Sequence, residues 1–223
     1  DCGYDVYFQV LNAKDYGIPQ SRERIYCIGF KDETEFKYPA PIKLDKTVYD
    51  FLQNRFDKKY LLKQKGVHFI TRAVNYQKSY TQVNGNIILC QKRNQQFNWH
   101  GDFVYHPKLK EDTSTPEIDQ NLFKVADFEE DYYLQNNPAK YAIKREGDEE
   151  MMFKASDKEI DPSYGRFRKL TPRECLRLMG FDDTFNIVVS DTETYKQAGN
   201  SIVVNVLMAL LRKIDITKYG TDI

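Results

Sequence analysis

The stretch Arg168-Lys169-Leu170-Thr171-Pro172-Arg173-Glu174-Cys175-Leu176-Arg177-Leu178-Met179-Gly180-Phe181 fixes more local structure than any other part of the chain. Thr171 is a helix N-cap, its hydroxyl placed to accept a backbone N–H of the first turn. Pro172 occupies the first helical position, where its missing N–H costs nothing. Glu174, three residues after the cap, completes a capping box and sets a carboxylate at the positive helix end. Leu176, Met179 and Phe181 supply an apolar side, and Gly180 is a stop signal. Arg166, Arg168, Lys169, Arg173 and Arg177 crowd this one element. They leave two readings open: a capped surface helix, or a basic element that grips an anion.

Two stretches at the chain ends frame it. Val6 to Leu11, β-branched and aromatic, reads as a strand. Arg24 to Phe30 reads as a second strand, apolar enough to be buried on both faces. Arg22 and Arg24 enter that strand at alternate positions and so project to one side. Two guanidinium groups there can clamp a phosphate, a carboxylate or a base edge; the plainer alternative is strand-end arginines paired with carboxylates. Near the other end, Tyr195-Lys196-Gln197-Ala198-Gly199-Asn200-Ser201 reads as a turn opening a helix over 202–213 that is apolar almost all round and buried on most sides. Asn200 and Ser201 are N-cap types, Gly199 permits a close approach, and free N–H groups there would seat a carboxylate or phosphate.

Between these ends the charge is divided. The chain carries 33 basic and 33 acidic residues, yet residues 43–110 hold 13 Lys/Arg against 4 Asp/Glu, and residues 111–161 hold 6 against 15. The division predicts a basic binding face and a separate acidic, solvated segment. The basic part is rich in Asn and Gln and carries Tyr60, Phe69, Tyr76, Tyr80, Phe97, Trp99, Phe103 and Tyr105. Tyr80 to Leu89, with Asn84-Gly85 at its centre, predicts a β-hairpin. Short strands, amides and Lys/Arg suit a surface that reads nucleic-acid edges and phosphates. Thr47 to Phe56 suggests a short amphipathic helix with Val48, Phe51 and Leu52 on one side. The four cysteines, Cys2, Cys27, Cys90 and Cys175, form no CxxC or Cys/His metal spacing, so no metal site is expected. Scattered cysteines, no apolar run near about 18 residues and no signal peptide predict a reduced, cytoplasmic protein without membrane contact. The chain opens on Asp1 and almost at once enters a strand, as a piece of something longer would.

Three motifs in order carry a family resemblance. Gln20-Ser21-Arg22-Glu23-Arg24-Ile25-Tyr26 resembles the Gln-x-Arg-x-Arg motif, the eighth of the DNA (cytosine-5) methyltransferases. Arg168 to Cys175 with Met179-Gly180-Phe181 resembles the ninth, and Tyr195 to Val203 the tenth and last. The resemblance implies an α/β fold: a partial Rossmann-like, S-adenosylmethionine-dependent methyltransferase domain (residues 1–36 and 165–223) with an inserted, mainly β target-recognition domain (37–164). It implies duplex DNA as partner, a cytosine flipped out of the stack, and methyl transfer to C5 once a cysteine thiolate has added at C6.

Carried over residue by residue, Arg22 and Arg24 would line the active site with Gln20 supporting their loop. Gly199, Asn200, Ser201 and Ile202 would border the cofactor's methionine end, and the ninth motif would be mostly architectural. No base-reading residue carries over; Arg72, Lys78, Gln91, Lys92, Arg93, Asn98 and His100 are candidates from the basic stretch alone. The 223 residues contain no Pro-Cys-Gln, no Glu-Asn-Val and no Phe-x-Gly-x-Gly loop. The expectation is therefore the C-terminal part, or one subunit of a split enzyme of a prokaryote or phage, inactive without an N-terminal catalytic half. The alternative is a stand-alone DNA-binding module.

Overall fold

The computed structural model describes residues 3–32, 34–70, 75, 78, 80–94, 99–106 and 166–214. The acidic segment, Arg72 and Asn98 lie outside these residues. Strands β1 (Asp5–Asn12) and β2 (Glu23–Phe30) pair antiparallel along their whole length, from Asp5 opposite Phe30 to Asn12 opposite Glu23. Between them a 3-10 turn, Ala13–Tyr16, is capped by the Asn12 side chain and closed by Gly17 at φ +84°, a left-handed conformation that glycine adopts without a Cβ penalty.

Side chains alternate across this pair. Tyr7, Tyr26, Ile28 and Phe30 turn towards the main core. Val6, Phe8 and Val10 lie opposite Gly29, Cys27 and Ile25 on the other face. That second face is open: Phe8 is 71% exposed, Ile25 63%, Val6 60% and Val10 58%. The expectation that residues 24–30 are buried on both faces is thus corrected. Continuous apolarity marks two faces fit for burial, and here only one is covered.

A second sheet runs β3 (Thr81–Val83), β4 (Gly101–His106), β5 (Arg166–Lys169), with β3 parallel and β5 antiparallel to β4. Helix α1 (Gln64–Ile70) covers it through Val67 and Ile70, which pack with Val83, Phe103, Tyr105 and Phe167. The expected hairpin over 80–89 does not form. Asn84 does turn the chain, at φ 52°, but its side-chain oxygen accepts the Tyr105 N–H at 2.9 Å and its own N–H donates to the Phe103 carbonyl. The following residues then leave β3. Ile88 donates to the Pro19 carbonyl and accepts from the Ser21 N–H, so it bridges to the loop before β2. Phe103, Tyr105 and Tyr60 are core residues rather than a surface row.

The chain from 166 onward adds α2 (Pro172–Arg177), α3 (Asp191–Asn200) and α4 (Val204–Leu211). The capping box at α2 forms as expected: Thr171 Oγ1 accepts the Glu174 N–H, and a Glu174 carboxylate oxygen accepts the Thr171 N–H at 2.8 Å. In place of the amphipathic helix expected over Thr47 to Phe56, a 3-10 turn, Val48–Phe51, forms, with Val48 and Leu52 buried. The main core joins Leu11, Ile18 and Phe30 with Val48, Leu52, Phe56, Ile88 and Val104 and with Leu176, Met179, Val206 and Leu210. Residues far apart in sequence therefore close one core. Among the described residues, no helix is long and apolar enough to cross a membrane.

Candidate functional site

The segment Gln20 to Arg24 meets α2, the end of α3 and residues 90–93 at one junction. Gln20 is fully buried. Its amide nitrogen donates to the Leu178 carbonyl at 2.7 Å, and its oxygen accepts the Gln91 N–H at 3.0 Å. Gln91 in turn donates to the Cys175 carbonyl at 3.2 Å. Two buried amides thus tie the loop before β2, the basic stretch and α2 into one hydrogen-bonded unit. The Gln91 side chain, a candidate for base reading, is thus buried in this unit.

Arg22 is buried and spans the same junction. Nη1 donates to the Gln91 carbonyl at 2.9 Å; Nη2 donates to the carbonyls of Gly199 at 3.0 Å and Ser201 at 2.8 Å. Its acceptors are carbonyls, not the carboxylates that a simple strand-end ion pair would use. Burial pushes the Arg22 guanidinium below its ordinary range, with the Cys90 thiol opposing that shift. The Arg22 Nε and the Gln91 side-chain oxygen, both buried, find no partner among the described residues.

Arg24 projects to the same side but lies exposed. It donates to the Glu23 carbonyl and reaches Cys90 Sγ at 3.5 Å, the distance at which Arg22 Nη1 also meets that sulfur. No carboxylate neutralises Arg24 among the described residues. The two arginines therefore differ in surroundings: Arg22 is buried on three backbone carbonyls, and Arg24 is exposed. Cys90, held by both, carries no motif that would have singled it out in the sequence.

The stretch 195–202 is placed differently from expectation. Tyr195 to Asn200 form the last turns of α3, which begins at a Ser190 cap, and residues 201–203 are an extended link to α4. The Gly199 carbonyl in the last turn of α3 and the Ser201 carbonyl of the link both face Arg22, so the expected seat made of free N–H groups is replaced by an acceptor pair for a guanidinium. Val203, with no side-chain cap bond, starts α4, and Ile202, Leu207 and Met208 are exposed rather than buried. Gly199 meets its expected need for close approach: a Cβ there would lie 2.4 Å from the Arg93 nitrogen and 2.6 Å from the Lys92 carbonyl carbon. Asn200 and Ile202 face solvent and Ser201 is half-buried.

Arg168 of β5 and both basic residues of α2, Arg173 and Arg177, are engaged within the fold. Arg168 and Glu174 form a fully buried pair, with Nη1–Oε2 at 2.8 Å and Nη2–Oε1 at 2.9 Å, beneath the Phe56 ring. Arg177 makes a two-pronged pair with Asp183, and Arg173 donates to the Asp182 and Phe185 carbonyls. Among the sequence candidates for base reading, Lys78, Lys92 and Arg93 are exposed, whereas the His100 ring stacks on Tyr80 at 4.7 Å. Burial and the nearby Lys92 hold the His100 imidazole below its ordinary range.

A family model for C-5 cytosine-specific DNA methylases matches residues 1–215. The chain is 33% identical over 219 residues to the type II methyltransferase M.SsoII of Shigella sonnei, covering 96% of this chain and 45% of that protein. It is 32% identical to M.HpaII of Haemophilus parainfluenzae, covering 95% and 50% respectively. The chain spans about half the length of the curated relatives it matches. Among solved structures, an Entamoeba histolytica methyltransferase, EhMeth, aligns over 97% of this chain and 55% of its own, with TM-score 0.58 and 13% identity. S. pombe Dnmt2 aligns over 98% and 60%, with TM-score 0.55 and 18% identity. A match over nearly the whole chain leaves one conclusion: this protein belongs to the C-5 cytosine-specific DNA methylase family.

Proposed function

We propose that the chain is the C-terminal portion, or a separately encoded subunit, of a cytoplasmic DNA (cytosine-5) methyltransferase, completed by an N-terminal catalytic half that carries the nucleophilic cysteine. The observation that carries this reading is the open apolar face of the β1–β2 pair, with Val6, Phe8, Val10 and Ile25 each more than half exposed. Burying such a face is favourable by about 25 cal/mol per Å², and an uncovered strand edge beside it invites further pairing. These 223 residues hold no Pro-Cys-Gln and no Glu-Asn-Val; on this reading the partner supplies both, and the chain alone would not transfer methyl groups.

Within the completed enzyme, residues 1–36 and 165–223 belong to the catalytic body and 37–164 to target recognition. Arg22 holds the Gly199–Ser201 turn in place. Arg24, exposed and without a carboxylate partner among the described residues, would meet a phosphate or the displaced cytosine. S-adenosylmethionine would supply the methyl group as an electrophile. Asn200, Ser201 and Ile202 offer an amide, a hydroxyl and an apolar side chain at the end of α3, a set that fits the amino-acid end of that molecule. Gly199 is turned inward against residues 92–93 and so shapes that border without reaching the ligand. Lys92, Arg93 and Lys78 would meet DNA phosphates.

The test is complementation. The chain is mixed with an N-terminal half of a family enzyme, and tritium transfer from labelled S-adenosylmethionine to duplex DNA is measured. Transfer by the mixture but by neither part alone is expected. Failure with folded partners, together with sequence-selective duplex binding by this chain, would favour the stand-alone binding module.

A further inference from the structure

A cavity of about 330 Å³ lies beside α1, away from Arg22 and Arg24. Its wall includes Lys63, Trp99, His100, Asp102, Lys169 and Tyr195. Its volume is at the lower end of small-molecule sites. Two ammonium groups on its wall lack a carboxylate partner among the described residues. Lys63 is exposed at its mouth. Lys169 is half-buried, with its Nζ 5.4 Å from the Tyr195 ring centre and 6.0 Å from that of Tyr60. The nearby Asp191 is already engaged by Lys59 at 2.7 Å and by the Tyr60 hydroxyl at 2.9 Å.

The rest of the wall suits a flat ring. Trp99 is held at φ 49°, a conformation that a bulky residue adopts only under constraint from its surroundings. Its indole packs against Phe69 at 5.6 Å, and its Nε1 lies 3.3 Å from where a Cβ on Gly66 would stand, so the ring is fixed from behind. Both Asp102 carboxyl oxygens lie 3.1 Å from the Leu89 N–H, and burial pushes that carboxyl well above the usual range. It is thus a candidate hydrogen-bond donor in a site otherwise lined by cationic, aromatic and leucine side chains.

We propose that this cavity binds a nucleoside monophosphate unit, its phosphate on Lys63 and Lys169 and its base against Trp99. The unit could come from a single-stranded DNA segment or from a free nucleotide, and the chemistry of recognition is shared. The cavity shares no residue with Gln20, Arg22, Arg24 or 199–202, while Lys63 and Trp99 fall in the segment assigned to target recognition and Lys169 in the ninth motif.

Trp99 is the chain's single tryptophan, so its emission reports on this wall alone. The full chain is titrated with cytidine 5′-monophosphate, with cytidine and with inorganic phosphate. Saturable quenching by the monophosphate is expected, at least about tenfold weaker for cytidine, with no quenching by phosphate. K169M and K63M should each weaken the monophosphate by about tenfold; Lys63 is exposed, so K63M keeps the fold even if K169M does not. Competition by a single-stranded oligodeoxynucleotide identifies the strand as the source; monophosphate binding without such competition identifies the free nucleotide. Equal quenching by cytidine and its monophosphate, unchanged binding in K63M, or no saturable response would overturn the proposal. Duplex binding that survives in K63M while quenching is lost would separate this site from the methyltransferase interface.

Discussion

Replacing Glu174 by glutamine is the sharpest probe of how the fold is held at its junction. Glu174 is fully buried and accepts four N–H groups: two from Arg168 at 2.8 and 2.9 Å, one from Thr171 at 2.8 Å and one from Gln53 at 2.8 Å. E174Q keeps the shape but removes the charge, and its amide nitrogen must face a donor. Arg168, itself fully buried, then loses the Glu174 carboxylate that faces both of its Nη groups. Breaking a buried pair from one side costs about 3–5 kcal/mol, a large part of the roughly 5–15 kcal/mol that stabilises a typical domain. A chain of this length should then melt about 10 °C lower. Urea unfolding followed by circular dichroism reads the loss as a lower midpoint. R168M should cost a similar amount, and the double variant R168M/E174Q should lose much less than the two combined, because no lone charge remains. A loss under about 1 kcal/mol in E174Q, or strict additivity in the double variant, would refute the buried pair as the junction's anchor.

G199A should destabilise by about 1–3 kcal/mol, because its Cβ would press on the backbone of Lys92 and Arg93 rather than on a flexible side chain; the urea midpoint reads this. The two arginines of the junction should separate cleanly. R22A, losing bonds to Gln91, Gly199 and Ser201, should lower the urea midpoint, whereas R24A should leave stability within about 0.5 kcal/mol yet weaken duplex binding and flatten its salt dependence; unchanged binding by R24A in a filter assay would count against its assigned role. D102N tests a pH dependence. The folded-state pKa of Asp102 is raised, so its contribution is full below the unfolded value near 3.9 and is lost as pH rises through the folded value. Measured from about pH 4 to about pH 8, D102N should gain stability relative to the unsubstituted chain as pH rises; a constant difference would contradict the shift.

Features written in adjacent residues were legible in the sequence. The α2 cap needs only Thr171, Pro172 and Glu174, and it forms as read. Gly199 likewise marks a close approach wherever the partner backbone comes from. Features decided by distant partners were not. Asn84-Gly85 does turn the chain, but Pro19 and Ser21 capture Ile88 before a hairpin can close. The start of α3 is set by Ser190, whose oxygen accepts the Glu193 N–H, so the Asn200-Ser201 pair falls at the helix end, where the Gly199 and Ser201 carbonyls accept from Arg22. Nothing local announces that β2 is covered on one face only, since that depends on what packs there. Cys90 and Asp102 gain their surroundings wholly from the tertiary fold.

On the proposed reading, a catalytic half covers the open face of β1 and β2. Cys27 stands on that face, opposite Phe8, and is exposed. The direct measurement is the rate of Cys27 alkylation, read by peptide mass spectrometry, with and without an N-terminal half of a family enzyme. Strong protection of Cys27, at the same stoichiometry that restores methyl transfer, is the predicted result. An unchanged Cys27 rate in a mixture that transfers methyl groups would place the partner elsewhere and contradict the account.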